Sequence, residues 1–252
     1  MNNMWDVPEQ WEKEYLNSCL RASKHDSFFN TFKTDFHFTR ILEHANGIQG
    51  KNYYDLIKAT NPGFLVDYPD IWSNDEVGSP SLCTIADKNV SPTTLQYLFV
   101  ASQLKNLFGS LEEFKIAEIG GGYGGQCKII NDVFSFKEYD IIDLPEVTSL
   151  QNRYLQEFSL DKRVGLYSAP HHKKGYKYDL AISNYALCEV KDPQHTEYVK
   201  DVLLFSKRGY ITCNGPIPGL SLLQKSFEDL TRLNDVEAER DTNYILVWGH
   251  KK

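Results

Sequence analysis

The run Phe114-Lys-Ile-Ala-Glu-Ile119, followed at once by Gly120-Gly121-Gly122-Tyr123-Gly124-Gly125, constrains this chain more than any other feature. A short apolar segment closed by turn residues reads as a buried strand. The glycines let the backbone turn sharply, and they let a ligand come close where a Cβ would block it. Gln126 to Phe134 then carries a helical pattern, and Tyr139-Asp-Ile-Ile-Asp143 reads as a second strand. Asp143 ends that strand 23 residues after Gly120. In an open α/β sheet this spacing sets a carboxylate beside the crevice at the strand ends, where it can accept hydrogen bonds from two ribose hydroxyls. The plainer alternative is that the glycines serve tight packing and Asp143 only caps the next helix. The register of strand, glycines, helix, strand and acid favours a ligand site.

The alternation continues. A helix is expected over 147–158, strands over 164–167, 180–183 and 209–213, helices over 195–205 and 220–230, and a last strand over 243–248. Strands alternating with helices argue a mostly parallel sheet covered on both faces. Residues 1–110 have another character. Trp11, Tyr15, Leu16, Cys19 and Leu20 recur at helical steps, as do Phe29, Phe32, Phe36, Ile41 and Leu42 within 28–45. The stretch 60–92 carries Asn61-Pro-Gly63, Tyr68-Pro69, Gly78-Ser-Pro80 and Ser91-Pro92, which mark a long irregular segment. Ser91-Pro-Thr-Thr94 opens a helix that Gly109 closes. Two parts follow: a helical, loop-rich N-terminal cap over 1–110 on the acceptor side, and a cofactor-binding α/β domain over 111–252.

Composition excludes several classes. Twenty-seven Lys and Arg stand against 34 Asp and Glu, a net charge of −7, which speaks against nucleic acid as a partner. No apolar run reaches the roughly 20 residues of a membrane span. The first residues lack a basic region followed by an apolar one, so no secretory signal is read there. Five cysteines without a Cys-x-x-Cys read as reduced thiols of a cytoplasmic protein.

The glycines also fit Gly-x-Gly-x-x-Gly at 120, 122 and 125, the pattern of an NAD-dependent oxidoreductase. Against that reading stand three points. Glu118 lies two residues before the first glycine, placed to hold an amino-acid ammonium through water. No second catalytic domain follows, and 110 residues precede the motif. A non-catalytic scaffold is a further alternative.

Glu118-Ile-Gly-Gly-Gly-Tyr-Gly-Gly125, Tyr139-Asp-Ile-Ile-Asp-Leu-Pro145, Ile182-Ser-Asn-Tyr-Ala-Leu-Cys-Glu189 and Gly209-Tyr-Ile-Thr-Cys-Asn214 resemble class I S-adenosylmethionine-dependent methyltransferases. More narrowly they resemble bacterial sugar O-methyltransferases of surface-polysaccharide gene clusters, over about residues 90–250. The resemblance implies a Rossmann-like methyltransferase sheet of seven strands with the last antiparallel. It implies S-adenosyl-L-methionine as donor, and a sugar or capsular polysaccharide building block, small or nucleotide-linked, as acceptor. A capsular phosphoramidate group is the runner-up acceptor. By the match, Glu118, Gly120, Gly122, Tyr123, Gly124 and Asp143 hold the cofactor. Tyr123 is bulkier than the usual residue between the glycines. Tyr167-Ser-Ala-Pro170 replaces the usual acidic motif after the third strand, which makes Ser168 the expected adenine contact.

Methyl transfer from a sulfonium requires alignment and exclusion of water, and a hydroxyl acceptor gains from a base within hydrogen-bond reach. Glu189, in the loop after the fourth strand, is the first expected base, against a plain role at a helix start. His195 and His172 are the alternatives, each with a bland surface reading. Asn184 and Tyr185 are expected against the cofactor, and Asn214 against the acceptor. Lys173 and Lys174 form a basic loop that reads either as a solvated turn or as a phosphate contact. Trp5, Trp11 and Trp72 could form a lid over sugar rings. Core packing is expected for Trp11, and Trp72 is the better acceptor-side candidate. His171, His172, Asp192 and His195 show no metal-ligand spacing, so no obligatory metal is expected. The sequence does not give the oligomeric state.

Overall fold

The computed structural model describes residues 9–160, 162–169, 171–235 and 243–250. The front of the chain forms α1 (Glu9–Lys24), α2 (Asp26–Phe29), α3 (Phe36–Thr39), α4 (Gly47–Thr60) and α5 (Phe64–Asp67), then a 3-10 stretch (Pro69–Glu76) and a hairpin of β1 (Cys83–Ile85) and β2 (Lys88–Val90). Helix α6 (Pro92–Phe108) leads into the sheet. There follow β3 (Lys115–Ile119), α7 (Gly125–Phe134), β4 (Glu138–Asp143), α8 (Pro145–Glu157), β5 (Val164–Ser168) and β6 (Leu180–Asn184). The chain continues through α9 (Ala186–Glu189), α10 (Gln194–Asp201), β7 (Gly209–Cys213), α11 (Leu220–Ser226), β8 (Thr231–Asn234) and β9 (Tyr244–Trp248).

The sheet has seven strands in the order β5-β4-β3-β6-β7-β9-β8. Strands β3 to β7 run parallel, and β9 is antiparallel to both β7 and β8. This is the Rossmann-like seven-stranded α/β sheet with a reversed last strand that the motifs implied. The order reverses at β3: its chain successor β4 lies on one side and β6 on the other, which opens a crevice at the carboxyl ends of these strands. Strand β8 was not recognised in the sequence, where 220–230 read as one helix. The helix ends at Ser226 because Phe227 turns extended and stacks on Trp248, with ring centroids 4.8 Å apart.

Residues 28–45 do not form one helix. Asp35 adopts extended backbone, and its side chain accepts from the His37 and Phe38 N–H groups. It thereby restarts the chain as α3, because a short carboxylate competes well for free N–H groups. Phe29, Phe32 and Phe38 are buried while Phe36 is exposed. Helix α4, unrecognised in the sequence, begins with a full capping box, Asn46 and Gln49 exchanging side-chain and backbone hydrogen bonds. Helix α6 buries residues on all sides, as a helix apolar all round must.

The front and the sheet share one hydrophobic core. Cys19, Phe38, Ile57 and Leu98 pack in the same cluster as Tyr123, Ile141, Leu150 and Tyr154. A second cluster lies on the other face of the sheet, from Ala117 and Ile211 to Trp248. Trp11, expected in the core, is instead exposed, with the Arg40 guanidinium 4.6 Å over its ring. Trp5 lies outside the described residues.

Candidate active site

The glycine turn joins the end of β3 to α7. Gly120, Gly122 and Gly124 have φ of +74°, +55° and +97°, conformations that L side chains adopt at a cost. Space is closed at two of them as well. A Cβ on Gly120 would lie 2.0 Å from the Ala186 Cβ, and one on Gly122 would lie 2.9 Å from Leu42. The turn is therefore sandwiched between the loop after β6 and the front segment.

Asp143, at the end of β4, reaches this turn. Gly122 N–H donates to its Oδ2 at 3.2 Å and Leu144 N–H to its Oδ1 at 2.8 Å. The carboxylate thus ties the glycine turn to the residue before α8, and no side chain caps that helix. Burial raises its pKa to about 7, and these N–H groups oppose the rise. Ser168 sits opposite Asp143 in the β4–β5 register, so it shares this edge. Tyr15 and Cys19 of α1 lie close enough to Asp143 to feel its charge.

Glu118 is fully buried in β3. Its Oε2 accepts from Tyr139 Oη at 2.9 Å, and burial raises its pKa to about 8. It stands under the turn, with Oε2 3.2 Å from where a Cβ on Gly121 would be.

The side chain of Tyr123 does not line the crevice. It is fully buried in an aromatic cluster with Phe32, Phe38, Tyr97 and Tyr154, and Asn74 Nδ2 lies 3.3 Å from its hydroxyl. Its bulk between the glycines is explained by this anchoring, so only its backbone belongs to the turn.

The loop after β6 supplies the opposite wall. Asn184 Nδ2 donates to Gln126 Oε1 at 3.3 Å, and Thr212 Oγ1 donates to Asn184 Oδ1 at 3.3 Å. This side chain therefore bridges α7 and β7. Tyr185 holds φ +65° without being glycine, and its hydroxyl donates to Asp235 at 2.6 Å. A non-glycine residue in this region costs of order 1–3 kcal/mol and is held by its surroundings. Asn214 Nδ2 donates to Glu189 Oε1 at 3.2 Å, which joins two of the expected acceptor-side residues. Glu189 keeps part of its surface exposed, while crowding around its carboxyl raises its pKa.

Four expected residues are engaged in other contacts. Lys173 is held by Glu138 and, at 2.8 Å, by Asp140 Oδ2, at the opening end of β4. That is the opposite end of the strand from Asp143. Burial works against its charge, yet the two carboxylates outweigh it and raise its pKa. Lys174 faces Asp201 and Glu197 of α10 at 3.6 and 3.9 Å. His172 is buried against Tyr198, 3.6 Å from Asp201, and burial lowers its pKa. His195 is fully buried with Nδ1 2.9 Å from the Leu187 carbonyl oxygen, and burial lowers its pKa too. Neither histidine has the surface position that the plain reading gave it. Each is packed as a core residue, and His195 touches the loop after β6 that also carries Glu189.

Trp72 is half-buried in the 3-10 stretch, with Lys88 Nζ 5.0 Å over its ring. Sequence reasoning missed Gln151 of α8, whose amide reaches both Gly122 and Asp143. An isolated Gln inside a helical pattern carries no signal. Among the described residues no group of three or more His, Cys, Asp or Glu is placed to hold a metal ion, and no helix is long and apolar enough to cross a membrane.

No family model and no curated protein matches the chain. Solved structures do resemble it in fold. TrmK of M. capricolum in complex with S-adenosyl-homocysteine is 16% identical with a TM-score of 0.44, covering 59% of this chain and 66% of that one. The methyltransferase domain of a bacterial CtHen1 is 15% identical with a TM-score of 0.45, covering 61% and 96%. The mitomycin 7-O-methyltransferase MmcR is 12% identical with a TM-score of 0.44, covering 96% and 68%. Likeness at this level leaves the site to be read from this chain's own residues.

Proposed function

We propose that the chain is an S-adenosylmethionine-dependent O-methyltransferase acting on a hydroxyl of a sugar or related polysaccharide building block. The carrying observation is the union of the glycine turn with Asp143 through the 3.2 Å Gly122 hydrogen bond at the carboxyl edge of the sheet. The residues present fit the donor. The turn offers side-chain-free backbone, Asp143 offers carboxylate lone pairs for ribose hydroxyls, and Glu118 beneath the turn, kept neutral by burial in the free protein, would ionise against an ammonium reached through water. When bound, the donor supplies a methyl group on a sulfonium. Ser168 extends the Asp143 edge, and Asn184 stands on the opposite wall. The reversed β9 separates this sheet from the dinucleotide folds, whose six strands run parallel.

On the acceptor side, Glu189 takes the proton of the attacking hydroxyl, and Asn214 orients its carboxylate. Its raised pKa brings it nearer the working range of a base. The half-buried Trp72 and the irregular stretch around it supply apolar surface for a ring, on a cap formed by 1–110. A phosphoryl-bearing acceptor would draw on Lys173 and Lys174, of which Lys173 is tied to two carboxylates and Lys174 is exposed with weaker pairs.

Calorimetry with S-adenosylmethionine and with NAD tests the donor. Binding of the former and not the latter is expected, and the reverse would overturn the proposal. Mass analysis after incubation with nucleotide sugars and capsular fragments tests the acceptor, with a gain of one methyl group expected on a hydroxyl.

A further inference from the structure

Gln151 is completely buried in α8. Its Nε2 lies 2.8 Å from the Gly122 carbonyl oxygen and 3.0 Å from Asp143 Oδ2. Only the amide nitrogen, with two N–H groups, can serve two acceptors, so the orientation of this side chain is determined. Gly122 N–H donates to the same Asp143 oxygen. The three residues therefore close a ring in which the turn and Gln151 donate to the acid, and Gln151 donates to the turn. The amide oxygen, Oε1, is buried without a hydrogen-bond partner. The fold leaves an acceptor unsatisfied in order to aim both donors at this corner.

We propose that Gln151 is a positioning residue for cofactor binding, holding the Asp143 carboxylate ionised and turned against the glycine loop. This rests on the reading of Asp143 as the ribose ligand. A carboxylate offers about four lone-pair positions. Gln151, Gly122 and Leu144 donate to both of its oxygens, with the Gly121 N–H close by, and together they fix the carboxylate against the turn. The ionisable groups facing Asp143 are acids: Glu118 from β3, Tyr15 and Cys19 from α1, Tyr198 from α10, and Glu146 on α8 itself beside Cys19. None of these supplies a counter-charge. The donors alone offset the burial of the carboxylate, and Gln151 is the one side chain among them.

The test uses the full chain. Carbon-13 NMR follows the Asp143 carboxyl of the free protein from pH 5 to 9, assigned with Asp143→Asn, in wild type, Gln151→Leu and Gln151→Glu. Calorimetry measures S-adenosylmethionine affinity over the same range. Gln151→Leu should raise the Asp143 midpoint by about one pH unit and weaken binding about fivefold at pH 7, the deficit shrinking toward pH 9. Gln151→Glu keeps the volume and should move the midpoint further, since it sets a second acid against the first. A purely structural Gln151 would lower the melting temperature and weaken binding equally at every pH, with the midpoint unmoved. That result overturns the proposal. If the wild type binds no S-adenosylmethionine, the donor assignment falls and the positioning role falls with it. The NMR midpoints still show separately whether Gln151 holds the charge of Asp143.

Discussion

Asn214 and Glu189 are hydrogen-bonded across the ends of neighbouring strands, Nδ2 to Oε1 at 3.2 Å. A neutral amide that pins one carboxylate oxygen leaves the other free to accept a proton. Glu189→Gln should preserve shape and cofactor affinity while cutting turnover on a hydroxyl acceptor by about 10²–10⁴-fold. Single-turnover kinetics with calorimetry on the same sample separates the two quantities. Near-full activity in this variant would remove Glu189 as the base. His195 and His172 would then be the next residues to substitute.

Gly120 and Ala186 are matched by steric need. Gly120→Ala adds a methyl group that would sit 2.0 Å from the Ala186 Cβ, on backbone at φ +74°. A loss of about 2–4 kcal/mol is expected in urea unfolding. Adding Ala186→Gly should recover the packing part and leave about 1–2 kcal/mol of backbone cost. Full recovery would show that the left-handed conformation carries no penalty here.

Glu118 makes stability depend on pH in a direction opposite to that of a surface carboxylate. Its folded pKa of about 8 lies above the ordinary value of 4.5. The neutral acid therefore contributes stability that is complete below about pH 4.5 and is lost as pH rises through about 8. Glu118→Gln removes the titration and keeps an acceptor for Tyr139. Relative to this variant, the free wild type should lose on the order of 2–4 kcal/mol between pH 5 and 9, read from urea midpoints. Parallel pH profiles would place Glu118 in contact with solvent or a cation.

Lys173 and Lys174 are adjacent in sequence and should differ in consequence. Lys173→Met leaves the buried Asp140 without its counter-charge and should cost about 3 kcal/mol. Lys174→Met removes only solvent-exposed pairs and should stay within about 0.5 kcal/mol. Neither should alter acceptor affinity. A selective fall in acceptor affinity for Lys173→Met would reopen the phosphate reading.

The parts of this fold that were legible in the sequence depend on local rules. The β3 turn, the Asp143 edge and the Ser91-Pro92 helix start each follow from backbone chemistry within a few residues. Strand β8 was not legible because it is four residues long and only half-buried, so it has little apolar pattern to show. The front failed at Asp35, where one side-chain cap outweighs the helical spacing of Phe29, Phe32 and Phe36. Helix α4 could have been found, since Asn46 and Gln49 have the spacing of a capping box. Within the candidate site, Asp143 meets the glycine turn, Glu118 lies beneath it, and Asn184 bridges α7 and β7, each at the end of its strand. Lys173 instead pairs at the opening end of β4. The loop after β5 runs back toward the opening end of β4, and no sequence rule reports the path of a loop.

Tyr123 belongs at once to the glycine turn and to the aromatic cluster beneath the front segment. A chimera that imports a relative's front segment therefore inherits a debt to this ring. Unless Phe32, Phe38 and Tyr97 are retained or replaced by rings of equal reach, the imported segment would loosen the donor loop while changing the acceptor. Among relatives of this chain, these aromatic positions would be the slowest of the front segment to drift, because the ring they hold is part of the glycine turn.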